Sequence, residues 1–405
     1  MGKSLNPSKR QKLIAHYDHR HLQEQPLIPG LPDHVAELCL SRVHPSLLYS
    51  VCRSWRRLIY CPFFPPFPSL YALFFSSSDN EIQLLSFDPM SSRWETVPPP
   101  PNPLRLLVHH PSFLCRNLPV QSISVSGNLV LLAATAPNFN PALSRPLIFS
   151  PLSRSWSLGP PMETPRRWCA AGASGPTVYV ASGIGSNFST DVARSLEKWD
   201  LGEEDEMDDF RWKKMRQLKD GRFSTDAIDA VGWRRKLCMV NVAKQGILYD
   251  AANDIWEQMP EGMVGGWRGP VAAMDEEVLY AVDEGKGLLT RYNQDSDNWE
   301  VIMEVESLKG ACQMAAAGGR LCVICGDGEI LVIDVVAAPP KFWAVQRPAE
   351  LEPLAIHILP RLSRLDFLLP TCHYCYGRLF YCPLPSPSLR HNQLSYFIRN
   401  RFFRV

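Results

Sequence analysis

The sequence predicts a mainly β fold, a six-bladed β-propeller preceded by a small helical segment. Three observations carry that prediction. Trp94, Trp156, Trp212, Trp256, Trp299 and Trp343 stand 62, 56, 44, 43 and 44 residues apart, and a near-fixed period of that size marks a repeat architecture. Each Trp follows an apolar run that ends in Asp, Asn or Ser, and a second apolar run lies further upstream. Leu27 to Tyr60 stands outside this pattern, with apolar residues at helical spacing.

Within the repeats, Phe87-Asp88, Phe149-Ser150, Tyr249-Asp250 and Tyr292-Asn293 precede their Trp at one fixed distance. Trp199-Asp200 and Ile333-Asp334 do so across longer spacers. An aromatic, a turn-opening residue, a short polar stretch and a Trp read as strand, turn, strand. The upstream runs are Leu70–Phe75, Asn128–Thr135, Thr177–Gly183, Lys236–Val242, Val278–Glu284 and Arg320–Gly326. They are short, and their Val, Leu, Tyr and Cys suit strands. Units of this length have room for the four strands of a propeller blade. Six blades are expected, and five is the alternative count. The Pro-rich stretch Pro98–Pro119 and the acidic run Glu203–Asp209 stretch the early spacings and read as surface insertions.

Ahead of the repeats, residues 1–25 are polar and lack the apolar core of a secretory signal. They read as a disordered tail, with a basic run at Lys9–Lys12 and histidines at 16, 19 and 21. In Leu27–Tyr60, Val35, Leu38 and Cys39 form one helical stripe, and Leu47, Leu48, Val51, Cys52, Trp55, Leu58 and Ile59 form another. Pro32 suits the first turn of the first helix and Pro45 can start the second. A helix pair this short cannot bury its own apolar surface, so the propeller or a partner protein must cover it.

Composition narrows the function. The 405 residues carry a net charge of +1, so no global field attracts nucleic acid. The longest apolar stretches run to about ten residues, too short for a membrane-spanning helix. Twelve cysteines without framework spacing, in a chain with no secretory signal, point to reduced thiols in the cytoplasm or nucleus.

The helical segment resembles an F-box. Leu31-Pro32-Asp33 matches that family's opening, Val51-Cys52-Arg53-Ser54-Trp55 its close, and Arg56-Arg57-Leu58 continues it. The repeats resemble degenerate kelch repeats: Ser182-Gly183 and a displaced Gly318-Gly319 are what remains of the usual Gly-Gly, while the aromatic-then-Trp skeleton is better kept. The chain is thus similar to plant F-box/kelch-repeat proteins over residues 27 to 360. The resemblance implies an F-box at 26–65 and a kelch propeller at 67–360. It implies a substrate receptor of an SCF-type ubiquitin ligase, joined by an adaptor subunit to cullin and RING subunits, with an unnamed protein substrate on the propeller. The adaptor-facing set it implies is Leu31, Pro32, Val35, Cys39, Leu47, Val51 and Trp55. His34 departs from the acidic residue that many members carry there. A scaffold that holds partners without ubiquitin transfer is the alternative.

An enzyme is the competing class, because some kelch-type propellers are copper oxidases. Histidine would be expected in such a site. None falls between Pro111 and Ile356, so no catalytic residue, metal or cofactor is expected. Cys322 and Cys325 read as core thiols. Substrate contacts are expected instead on the segments that join blades, which carry Arg166, Arg167 and Trp168, then Arg222 and Phe223, then Trp267 and Arg268. Arg and Trp dominate binding hot spots, and arginine repeated in this way favours an acidic or phosphorylated ligand. The aromatics among them also suit gap-filling between blades.

Residues 361–405 break the pattern. They hold seven Arg, one Asp and no Lys, with Cys372, Cys375 and Cys382 but no second ligand pair for a zinc site. The segment reads as a disordered tail or as translated non-coding sequence.

Overall fold

A computed structural model describes residues 26–105, 120–134, 143–185, 192–201, 211–219, 221–223 and 228–364. The N-terminal tail, His109-His110, the acidic run and the three late cysteines lie outside the described residues. The chain divides into two compact units, meeting at Pro65 and Pro66.

The second unit is a six-bladed propeller. Blade one takes Pro68–Ser76, Glu81–Asp88 and Arg93–Thr96 from the start of the unit, and its innermost strand, Leu351–Pro360, from the end. Nine register pairs between Pro68–Ser76 and Leu351–Pro360 close the ring. Blade two is Gln121–Val125, Asn128–Ala133, Leu147–Ser150 and Ser155–Leu158. Blade three is Ala170–Ser174, Thr177–Ala181, Leu196–Asp200 and Lys213–Lys214. Blade four is Ile228–Trp233, Lys236–Asn241, Gly246–Asp250 and Ile255–Gln258. Blade five is Val271–Met274, Val278–Asp283, Leu288–Asn293 and Asn298–Glu304. Blade six is Gln313–Ala317, Arg320–Ile324, Ile330–Asp334 and Lys341–Val345. In blades two to six the strands run outward in chain order.

The apolar second strands are explained by where the core lies. It is divided into wedges, each drawn from two neighbouring blades. Leu237 and Met239 pack towards blade three, while Cys238 and Val240 pack towards blade five. Both faces of these strands are buried, so they read as continuous apolar runs and not as alternation. Cys322 and Cys325 are buried in two such wedges, and desolvation pushes each thiol up to about 12.

The turn-opening residues act as expected. Asp88 accepts from the Met90 N–H, Asp250 from those of Ala252 and Asn253, Asn293 from Asp295, and Asp334 from Val336 and Ala337. The aromatic before each turn then lies directly across from the Trp after it: Phe87 faces Trp94, Phe149 faces Trp156, Tyr249 faces Trp256 and Tyr292 faces Trp299.

These Trp residues are half-buried on the outermost strands, and their indole N–H groups tie the circumference together. Each donates to a backbone carbonyl just past the outer strand of the preceding blade. Trp94 reaches Gln346 at 2.8 Å, Trp156 Pro98 at 2.7 Å, Trp212 Pro160 at 3.2 Å, Trp256 Arg216 at 2.8 Å, and Trp299 both Gly262 and Met263 at 3.1 Å. Trp343 corrects the sequence reading. Ile333 lies opposite Phe342, so Trp343 is one residue out of register and faces Val332. A one-residue shift turns a strand side chain to the other face. Trp343 is 40% exposed, with the Arg320 guanidinium 5.3 Å from its ring.

The propeller runs past the expected boundary at 360. Arg361, Leu362 and Ser363 are buried, the Arg361 N–H donates to Phe67 O at 2.8 Å, and Arg364 pairs with Glu95. The change of composition at 361 therefore does not coincide with the end of the fold.

Among its described residues, the first unit holds three helices where the sequence suggested two: α1 (Asp33–Leu40), α2 (Pro45–Val51) and α3 (Arg53–Tyr60). The apolar stripe from Leu47 to Ile59 is interrupted at Cys52, whose backbone is extended. Arg56 helps end α2: its Nε donates to the Tyr49 carbonyl and its guanidinium lies 4.8 Å from the Tyr49 ring. Pro45 opens α2 as expected, with His44 as N-cap accepting from the Ser46 N–H.

Candidate adaptor and substrate interfaces

The three helices bury one set of apolar side chains and expose another. Leu27, Ala36, Leu40, Leu48, Leu58, Ile59 and Tyr60 are inside. Leu31, Leu38, Leu47 and Val51 are outside, at 38%, 67%, 54% and 58% exposure. Isolated exposed leucines are ordinary on a protein surface, but here five of the twelve Leu, Ile and Val side chains at residues 26–65 are exposed, Val43 being the fifth. On α1 the buried pair is Ala36 and Leu40, so Leu38 and Cys39 are exposed and the stripe inferred from the sequence points away from the core. On α2, Leu47 and Val51 sit one turn apart on the outer face.

The seven adaptor-facing candidates therefore separate. Leu31, Pro32, Cys39, Leu47 and Val51 are exposed, and Val35 is half-buried. Trp55 is half-buried too, and its indole N–H donates to Leu27 O at 2.7 Å, tying α3 to the segment before α1. Leu38, the most exposed of the aliphatics, was absent from that set.

The substrate candidates separate more sharply. Arg166, Arg167, Trp168, Phe223 and Trp267 are all buried, at 1–3% exposure. This corrects the expectation of an accessible rim for those five. Trp168, Phe223 and Trp267 plug the joints just ahead of the innermost strands of blades three, four and five. The Trp267 indole is anchored on Asp229 Oδ2 at 2.8 Å. Arg166 turns inward, ion-paired to Glu197 and donating to Ser195 Oγ at 2.6 Å. The Arg167 guanidinium stacks 4.3 Å from the Trp168 ring, and desolvation lowers its pKa. Arg166 and Arg167 form a short ladder with Ile184 and Gly185. The turn leading into it needs a glycine: Gly183 has a φ of +90°, and a Cβ there would meet Arg167 O at 2.7 Å. Arg222 and Arg268 remain exposed.

The innermost strands of all six blades enclose an axial cavity of about 270 Å³. His357, on the closing strand, lines it. The residue sits one position past the histidine-free interval, on a strand whose place beside blade one no local signal reveals. Its Nε2 bonds to Ser122 Oγ and its Nδ1 to Ser124 Oγ, at 2.9 Å each. Both ring nitrogens are thus engaged by hydroxyls of blade two, and burial pulls the imidazole pKa down to about 4.

No protein-family model matches the chain. Individual relatives do. It is 50% identical over 380 residues to the F-box/kelch-repeat protein SKIP25 of Arabidopsis thaliana, covering 89% of this chain and 95% of that one. It is 27% identical to the F-box protein AFR of the same plant, covering 65% and 70% of the two chains. To the F-box/kelch-repeat protein SKIP4 it is 23% identical, covering 76% and 85%. With a helical unit that exposes several aliphatic side chains, a six-bladed propeller, and 50% identity to an F-box/kelch-repeat protein over 89% of its length, this chain belongs to the F-box/kelch-repeat family.

Proposed function

We propose that the chain is the non-catalytic substrate-recognition subunit of an SCF-type ubiquitin ligase in the cytoplasm or nucleus. The observation that carries this reading is the outward set Leu31, Leu38, Leu47 and Val51 on a unit of three short helices. That surface suits the adaptor subunit, which links to cullin and RING subunits. The propeller then holds a protein substrate beside the ubiquitin-charged enzyme. Proximity raises the effective concentration of the acceptor lysine, so the chain needs no catalytic group of its own.

The test is a pull-down of the full chain with the adaptor subunit. Truncating the exposed Leu31 and Pro32 together, by Leu31→Ala and Pro32→Ala, should abolish capture and leave the thermal unfolding of the propeller unchanged. Full adaptor capture by the double variant would remove the assignment. Stabilisation of the captured substrate on cullin inhibition separates a ligase receptor from a scaffold, whose partner's lifetime would not respond.

A further inference from the structure

Lysine is missing from two long stretches of the chain. Lys12 is followed by no lysine until Lys198, and Lys341 by none to Val405. The interval 13–197 nevertheless carries thirteen arginines, whereas 198–341 carries nine lysines beside eight arginines. Basic residues are therefore not scarce in the interval; one of the two kinds is. On the fold, the first gap covers the three helices of the first unit, three strands of blade one, all four of blade two and the first two of blade three. The second gap holds Leu351–Pro360, the closing strand of blade one. Ring closure pairs it with Pro68–Ser76, so two gaps far apart in sequence fuse into one lysine-free sector of the propeller.

Packing accounts for some of these arginines. Arg166 is buried on Glu197, and Arg167 stacks on the Trp168 ring. Both uses suit a planar guanidinium better than an ammonium. Arg56 holds the Tyr49 carbonyl. Arg42, Arg53, Arg57 and Arg93 have no such use. They are exposed, and among the described residues their side chains make no hydrogen bond or ion pair. A lysine at those positions would carry the same charge. Lysine is also at home on this propeller: Lys214, Lys219, Lys244, Lys286, Lys309 and Lys341 are all exposed. What separates the two side chains is reactivity. A lysine can release its proton and become a nucleophilic amine, while a guanidinium stays protonated.

We propose that the F-box unit with blades one and two forms a sector devoid of acceptor lysines, which keeps ubiquitin transfer off the receptor while it is docked in the ligase. The proposal rests on the receptor reading above. A receptor stays beside the charged enzyme through many substrate turnovers, so a lysine of its own within reach is presented at high effective concentration. In the transfer, a lysine amine attacks the carbonyl carbon of the ubiquitin thioester. The C–N bond forms, the C–S bond breaks, and the amine's proton goes to the departing thiol. An arginine in the same place keeps the charge and cannot take that step. The sector is also the part of the chain anchored most directly to the adaptor, since only residues 61–67 separate α3 from the first strand of blade one.

The test assembles the ligase from the full chain, the adaptor, cullin and RING subunits, the activating and conjugating enzymes, ubiquitin and ATP. Modified lysines are mapped and timed by mass spectrometry of the Gly-Gly remnant. Combining Arg42→Lys, Arg53→Lys, Arg57→Lys and Arg93→Lys preserves charge at exposed positions, so adaptor capture and thermal unfolding should match the parent. Each of the four new lysines should take up ubiquitin at least ~10-fold faster than lysines placed on the other blades by Arg211→Lys, Arg216→Lys and Arg235→Lys. Arg93→Lys alone, outside the F-box unit, should show the same contrast, which guards against a docking defect in the combined variant. Equal uptake by the two sets would overturn the proposal. So would unmodified new lysines in a ligase that modifies its other lysines or a bound substrate, and either result would leave the receptor reading standing. A parent chain that captures no adaptor, or supports no transfer once assembled, would remove the receptor reading and this proposal with it.

Discussion

The segment joining blades two and three and the segment joining blades four and five carry the same residue types, arginine beside tryptophan, yet the fold uses them in opposite ways. In both, the tryptophan is a plug: Trp168 and Trp267 are 3% and 2% exposed. At the first joint Arg166 turns inward to Glu197, Ser195 and the Ser182 carbonyl. At the second, Arg268 turns outward and, among the described residues, is held by Gly265 O and a 3.8 Å approach to Asp283. The difference lies in the neighbouring strand. Blade three supplies a buried carboxylate on its third strand, Glu197, which compensates a buried guanidinium. The joint at blade five gives Arg268 a looser pairing, with Asp283 at 3.8 Å. Arg166 goes inside where a carboxylate compensates it, since an unpaired buried charge costs several kcal/mol.

The largest break in that comparison is Arg166→Ala. It strands Glu197 inside the protein and should cost about 3–5 kcal/mol, read as a lower denaturant midpoint. An Arg166→Ala protein as stable as the parent would mean that the inward pair does not hold the joint.

Next in size is the axial histidine. His357 stays neutral in the folded protein down to about pH 4, while in the unfolded chain it takes up its proton near pH 6.5. The unfolded state therefore binds more protons between those values. Stability should fall by up to ~3 kcal/mol as pH drops from above 6.5 to about 4, and this contribution should not grow below that. His357→Asn should flatten that part of the stability profile. A parental slope retained in the variant would place the titration elsewhere.

Trp299→Ala should come third. It loses a half-buried aromatic and two carbonyl contacts, about 2–3 kcal/mol by scaling from fully buried aromatics. Trp343→Ala, at the shifted register, should cost less than about 1 kcal/mol, within the range of surface substitutions that lose some packing. Equal melting shifts for the two would contradict the register difference. Arg268→Ala closes the series. It should change stability by no more than about 0.5 kcal/mol, and a loss as large as that of Arg166→Ala would erase the contrast between the joints.

These contrasts separate what local pattern reveals from what it hides. The aromatic, the turn-opening Asp or Asn and the Trp form a contiguous signal, because hairpin chemistry is local. The four pairs in register from Phe87 through Tyr292 were legible for that reason. Trp343 was not, since its register depends on how a longer spacer folds between Asp334 and Lys341. In the helical unit, the Leu-Pro opening and the Val-Cys-x-x-Trp close were legible as motifs. The break at Cys52 and the exposure of Leu38 were not, because periodicity reports a stripe without saying which way it faces.

The chain by itself determined the repeat architecture, the order of strands and turns, the helical unit ahead of them and the residue types at each joint, while ring closure settled six blades over five. The local features rest on backbone propensity and side-chain period, which act over a few residues. The tertiary structure alone decided which arginine is buried and which is exposed, that His357 reaches the axis, and that Arg361 to Arg364 belong to the propeller. Each of these depends on groups brought together by ring closure or by packing of neighbouring blades. The partners stand 31 to 269 residues apart in the chain, and only the folded ring sets them within reach of one another.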